Sequence, residues 1–226
     1  MENHPTRVKY DNPKMYRWKS WDANTPFAPS FDVPVYIDYC GETITKDLIE
    51  LCSKNKFSRD NWTQYNIFCM TDFVVAILSD RIYQIYEEYA FELNQKPVPK
   101  HKLWIRGWGV TLEDGKGIDH HSHAFHENSF LSGNISLSDL DTTTDYLFPY
   151  LGWYFGYWKL KNKLGQLTLF PSWLEHKVDI NNTGKVRFSL AFDIFTEHTI
   201  NYVSNNRTNS SALQNTIRLS KRMNHV

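Results

Sequence analysis

The sequence predicts a mainly β protein with flanking helices, built on an antiparallel sandwich or barrel. Three observations carry this reading. Between Leu103 and Phe195 short apolar runs recur, separated by glycine and polar turns, a pattern of sandwiches and barrels rather than of βα units. One long amphipathic segment precedes them. Hydrophobic residues make up 41% of the 226, with 8 Trp, 13 Tyr and 14 Phe, enough large apolar surface to fill a substantial core. At about 100–200 residues per domain the length implies one domain over residues 1–200, with its core at 103–196 and supporting elements at 33–100. Residues 201–226 read as a polar C-terminal tail.

Taken in order, residues 1–33 are polar, carry Pro5, Pro13, Pro26 and Pro29, and read as an irregular arm over the core. Val33 to Tyr39 alternates as a strand does. Thr45 caps a short helix running to about Asn55, with Leu48, Ile49 and Leu51 on its apolar side. Thr71-Asp72 opens a longer helix over 71–95, where Val74, Leu78, Ile82, Ile85 and Tyr89 recur at three- and four-residue steps and Pro97 and Pro99 end the pattern. Strands follow at Leu103 to Leu112, Phe130 to Leu137, Tyr146 to Tyr150, Gln166 to Phe170, Leu174 to Ile180 and Val186 to Phe195. The polar tail is expected to hold one helical turn near Leu213 to Leu219.

Charge and cysteine usage exclude some functions. Lys+Arg and Asp+Glu number 25 each, so no dominant basic footprint points to nucleic acid. The longest plain apolar run, Phe73 to Leu78, falls far short of the roughly 20 residues that span a bilayer. The N-terminal stretch has no apolar core of a secretory signal. Cys40, Cys52 and Cys69 form neither a disulfide framework nor a CxxC metal site. A cytoplasmic location is expected.

Chemistry concentrates in the histidines. Four of nine lie within seven residues: His120, His121, His123 and His126, in DHHSHAFHENSF. Imidazole is the commonest borderline metal ligand, and one metal needs several converging donors. On a strand, residues i and i+2 share a face, so His121 and His123 point together, and His120 and Ser122 point the other way. The third ligand is expected from a neighbouring strand, with His176 in GQLTLFPSWLEHKV the candidate. His4, His101, His198 and His225 sit in segments with weak strand signals and read as surface residues. In VRFSLAFDIF, Arg187, Ser189, Ala191 and Asp193 share one face, and Phe188, Leu190, Phe192 and Ile194 the other. The apolar face suits the 71–95 helix. Arg187 beside Ser189 suits a carboxylate, which a guanidinium grips with two parallel N–H bonds; a structural salt bridge is the competing reading.

These residues together resemble the iron(II)/2-oxoglutarate-dependent dioxygenases. The resemblance rests on His121-Ser-His123, LSG at 131–133, Gly165 to His176, and Arg187-Phe-Ser189. It covers about residues 103–196, and the HxH…NSFLSG and FPSWLEH…RFSLAF phrases are similar to an oxygenase subgroup of bacteria and bacteriophages. It implies a double-stranded β-helix of jelly-roll, cupin-like form, iron on His121, His123 and His176, and 2-oxoglutarate bound through Arg187 and Ser189. One departure stands out: the family pattern is His-x-Asp/Glu, and His123 occupies the carboxylate position. His126 is an alternative ligand, and Asp119 and Glu127 are the nearest carboxylates that would restore an anionic one. A longer loop after His123 fits better than a shift to His126, because the shift places Ala124 at a ligand position.

The implied activity is oxidative decarboxylation of 2-oxoglutarate coupled to C–H oxidation, a hydroxylase whose substrate is a protein side chain, a nucleotide or a small molecule. The aromatic segment Gly152 to Asn162 forms a lid or covers the barrel end. Two other functions fit parts of the pattern. A cupin-type metal-binding barrel would use Glu127 as a fourth ligand but leaves Arg187 and Ser189 unexplained. A structural or virion-associated β-sandwich would bind metal incidentally.

Overall fold

The computed structural model describes residues 7–9, 14–20, 25–27, 30–55, 65–124, 129–148, 157–206 and 215–220. Their strands, in chain order, are β1 (Arg7–Lys9), β2 (Met15–Lys19), β3 (Asp32–Tyr39), β4 (Leu103–Leu112), β5 (Ile118–His121), β6 (Leu131–Ser136), β7 (Thr143–Leu147), β8 (Tyr157–Lys161), β9 (Gln166–Pro171), β10 (Glu175–Val178), β11 (Arg187–Thr196) and β12 (Ile217–Arg218). The helices are α1 (Glu42–Asn55), α2 (Phe73–Glu92) and α3 (Glu197–Asn206). An eight-stranded sheet runs β1-β2-β3-β9-β6-β11-β4-β12, and a four-stranded sheet runs β5-β10-β7-β8. Every paired neighbour is antiparallel. This is the double-stranded β-helix, spanning β4 to β11 and widened on one side by β1–β3.

Period-2 alternation sorts the core. On β9, Leu167 and Leu169 face the helices, and Thr168 and Phe170 face the smaller sheet. On β11, Leu190, Phe192 and Ile194 join the α2 stripe of Val74, Leu78, Ile82, Ile85 and Tyr89 in one buried cluster. A second cluster fills one end of the space between the sheets, with Trp18, Val33, Val35, Tyr146, Phe148, Phe170 and Leu174. The glycine of LSG has a packing reason. A Cβ on Gly133 would lie 2.8 Å from the Thr168 carbonyl oxygen and against the Phe192 ring, so β6 cannot carry a side chain there.

Several elements differ from the sequence reading. The N-terminal arm contains β1 and β2, which extend the large sheet through Met15↔Tyr36 and Trp18↔Val33. Met15 and Trp18 are the buried residues of β2 and stand three apart, so the strand shows no alternation to detect. Thr45 lies inside α1, not at its start, and its hydroxyl donates to the Gly41 carbonyl at 2.7 Å. α2 stops at Glu92, just before Asn94 takes a left-handed φ of 55°. Within the residues read as tail, α3 continues to Asn206. β12 pairs Ile217 with Ile105 at the edge of the large sheet, where a helical turn was expected. The second half of the 152–162 segment is strand β8, whose Trp158 packs 4.6 Å from Trp18, ring to ring; its first half, residues 152–156, lies outside the described residues. Among the described residues no helix is long and apolar enough to cross a membrane.

Candidate active site

The site forms where β9 crosses to the smaller sheet. At Pro171 the chain leaves the large sheet, turns through the Leu174 N–H to Pro171 carbonyl bond of 2.9 Å, and enters β10. That turn sets His176 directly across from His121 on β5. Their rings lie 4.3 Å apart. His123 stands two residues beyond His121, past the end of β5, and its backbone N–H is tied to the Ser172 carbonyl at 2.8 Å. The tie keeps the i, i+2 relation: the rings of His121 and His123 are 5.2 Å apart and nearly parallel, and His123 is 5.1 Å from His176. One nitrogen from each of the three falls within 4.8 Å of the other two.

Nδ1 of each ring is engaged. His121 Nδ1 is 2.8 Å from the Asp119 carbonyl, and His176 Nδ1 is 3.0 Å from the Leu174 carbonyl. A carbonyl only accepts, so each of these Nδ1 atoms carries the proton and each Nε2 keeps its lone pair. His123 Nδ1 is 2.7 Å from Asp193 Oδ1. Burial, then the nearby His123 and His121, hold the pKa of His176 well below the ordinary value, so it stays a neutral donor. For His123 burial acts in the same direction, but the Asp193 carboxylate outweighs it and the pKa lies above the ordinary value.

The three imidazoles line one wall of a cavity of about 430 Å³. β11 forms its floor. Arg187, Ser189, Ala191 and Asp193 all face inward, as alternation requires, over roughly 20 Å of strand. Trp108, Val110, Ile118 and Val178 supply an apolar side. Arg187 is 3% exposed and donates to the Ser189 hydroxyl at 3.2 Å. Its Nε is buried without a hydrogen-bond partner, and among the described residues no carboxylate pairs with the guanidinium. Burial pushes its pKa down to about 10. Beside it, the buried Tyr146 hydroxyl faces Asn134 and Thr168 without completing a well-aligned bond, and Thr168 Oγ1 is likewise unpaired.

The structure therefore brings His121, His123 and His176 together and sets Arg187 and Ser189 in the same cavity. The exposed His120 turns toward Tyr157, with ring centroids 5.1 Å apart. Asp119 serves the site through its backbone carbonyl, and its side chain is exposed. His126 and Glu127 lie outside the described residues, as do His4 and His225; His101 and His198 are exposed. Trp108 lines the cavity, with the Arg106 guanidinium 5.7 Å from its ring, whereas Trp104 lies under Arg218 at the sheet edge. The sequence reading assigned no role to Asp193, Tyr146 or Thr168. A signal existed for Asp193: a carboxylate on the inward face of a buried strand needs a partner.

The double-stranded β-helix thus sets three histidines on one wall of a cavity and an Arg-x-Ser pair on its floor, side chains able to hold a metal and a carboxylate. Residues 152–193, which include His176, Arg187 and Ser189, match the profile of a family described as "Putative 2OG-Fe(II) oxygenase". No curated protein sequence matches the chain. Among solved structures it is similar to a prolyl-4-hydroxylase of Pseudomonas putida, at 14% identity over 72% of this chain and 87% of that one, with a TM-score of 0.53. It is also similar to HygX of Streptomyces hygroscopicus with nickel and 2-oxoglutarate bound, at 13% identity, 72% and 81% coverage and a TM-score of 0.52. SnoK, a non-heme α-ketoglutarate-dependent carbocyclase of nogalamycin biosynthesis, gives 11% identity, 72% and 79% coverage and a TM-score of 0.52. The matched segment and the fold are those of the iron(II)/2-oxoglutarate oxygenases, as the sequence motifs indicated; the narrower bacterial and bacteriophage subgroup is not reached by these matches.

Proposed function

We propose that the protein is an iron(II)/2-oxoglutarate-dependent oxygenase that hydroxylates a C–H bond of its substrate, with His121, His123 and His176 as metal ligands and Arg187 and Ser189 as the 2-oxoglutarate clamp. The observation that carries this is Arg187. A guanidinium buried with no carboxylate partner among the described residues is costly, and here it shares a cavity with three converging imidazoles. A dicarboxylate ligand accounts for both ends at once.

The donor set fits the group. Three imidazoles converging on one wall suit a borderline divalent metal. The second nitrogen of each ring is held by a carbonyl or a carboxylate, the outer support that fixes ligand orientation. When bound, iron(II) and 2-oxoglutarate supply oxidative decarboxylation to succinate and CO2, with one oxygen atom delivered to the substrate. The chain's own part is to bind and orient. Arg187 offers two parallel N–H donors to the far carboxylate, Ser189 adds a hydroxyl, and the orphaned Tyr146 hydroxyl is placed beside them. Trp108, Val110, Ile118 and Val178 keep that side dry. The test supplies Fe(II), 2-oxoglutarate and O2 without substrate. Slow succinate release that depends on all three is expected. No 2-oxoglutarate binding to the metal-loaded wild type would overturn the reading.

A further inference from the structure

We propose that Asp193 is the anionic group of this metal centre, acting through His123: its carboxylate holds the Nδ1–H of His123, aims the Nε2 lone pair into the site and gives that one imidazole negative character. This rests on the metal-centre reading above and addresses the departure it contains, a histidine at the position where the resembling family has a carboxylate.

The geometry is specific to one ligand of the three. His121 and His176 are backed by backbone carbonyls, which fix a tautomer and carry no charge. His123 is backed by a side-chain carboxylate, that of Asp193, 70 residues away in sequence and 5% exposed. Asp193 Oδ1 also accepts a 2.7 Å bond from the Ser132 hydroxyl, whose oxygen lies 3.0 Å from that of Ser172. The backbone carbonyl of Ser172 receives the His123 N–H. Ser132, Ser172 and Asp193 thus hold His123 from both its ring and its backbone. Arg106, buried and directly across the β4–β11 pair from Asp193, is a positive charge close to it. The family pattern places its negative charge in direct contact with the metal. Here the charge stands one imidazole further out, on the facing sheet. Asp193 is therefore a positioning residue, and outer partners of this kind typically change metal affinity 10–100-fold.

The test uses Co(II) as the probe on the full chain. Asp193→Asn keeps an oxygen acceptor for Nδ1–H and removes only the charge; Asp193→Ala removes both. Expected are a fall in Co(II) affinity of roughly 10–100-fold for Asp193→Asn, a larger fall for Asp193→Ala, and an altered cobalt ligand-field absorption band at saturation, with circular dichroism unchanged. A purely structural role would not move the band. If Asp193→Asn binds Co(II) with wild-type affinity and spectrum, the inference is overturned and the metal centre stands. If wild type itself binds no Co(II), the metal-centre reading has failed. Should the variants not fold, ¹⁵N NMR of the metal-free wild type decides: the proton on Nδ1 of His123 supports the inference, and the proton on Nε2 overturns it.

Discussion

Replacing Arg187 by methionine should make the ligand-free protein more stable while destroying its response to 2-oxoglutarate. Methionine keeps much of the length and apolar volume and deletes the charge. Burial lowers the guanidinium from 12.5 to about 10. At about 1.4 kcal/mol per pKa unit, that fall sets roughly 3 kcal/mol against the folded state. The folded value is the lower of the two, and both exceed 7. The full cost is therefore present at neutral pH and fades only as pH rises through about 10. The variant also loses the bond to Ser189, worth about 1 kcal/mol. The net expectation is a gain of about 1–3 kcal/mol, or roughly 2–10 °C in Tm for a chain of this size. For wild type, 2-oxoglutarate added to the metal-loaded protein should raise Tm, because the clamp meets its counterion. For Arg187→Met the affinity should fall about 100-fold or more, since two charge-assisted bonds at roughly 1.5–3 kcal/mol each are lost. Thermal melts with and without 2-oxoglutarate measure both effects. A variant less stable than wild type, yet stabilised equally by 2-oxoglutarate, would show that Arg187 has a structural partner and that the clamp lies elsewhere.

Three further outcomes are expected. His176→Ala should abolish binding of one divalent metal per chain, and the exposed His101→Ala should leave it intact; metal analysis after gel filtration distinguishes them. Phe192→Ala, at a fully buried position between α2 and Gly133, should cost about 3–5 kcal/mol in urea unfolding, and a loss under about 1 kcal/mol would mean the cluster repacks around the cavity. Hydrogen bonds from Lys159 and Lys177 lower Asp179 to about 2. The depressed folded value means this contribution is present above the unfolded pKa and lost as pH falls toward 2. Asp179→Asn should therefore differ from wild type by no more than about 1 kcal/mol at pH 7, because the pair is solvent-screened, and the two should converge in acid.

Much of this architecture is local and so was legible in the residues. α2 announces itself through five apolar positions on one face, and its stripe meets the β11 face that alternation assigned to it. β11 is legible twice over, since the same alternation that buries Leu190, Phe192 and Ile194 turns Arg187, Ser189 and Asp193 inward. His121 and His123 are two residues apart, and a spacing of two is a statement about direction wherever the backbone is extended. β2 was not legible, because its buried residues are three apart and only pairing with β1 and β3 makes the segment a strand. β12 owes its form to Ile105, more than a hundred residues earlier.

What the sequence by itself determined is which side chains point the same way: periodicity is a property of a single strand or helix, set by backbone geometry within a few residues. What only the tertiary structure decided is which of those faces meet. His121 lies opposite His176 because the turn at Pro171 carries the chain to the other sheet. Among the described residues Arg187 is without a carboxylate because no neighbouring strand presents one there, which the residues of β11 alone could not reveal. Asp193 meets His123 across 70 residues because β11 forms the floor beneath the chain that leaves β5. Such pairings depend on sheet order and register, and these are settled by burying the whole core at once rather than by any single segment.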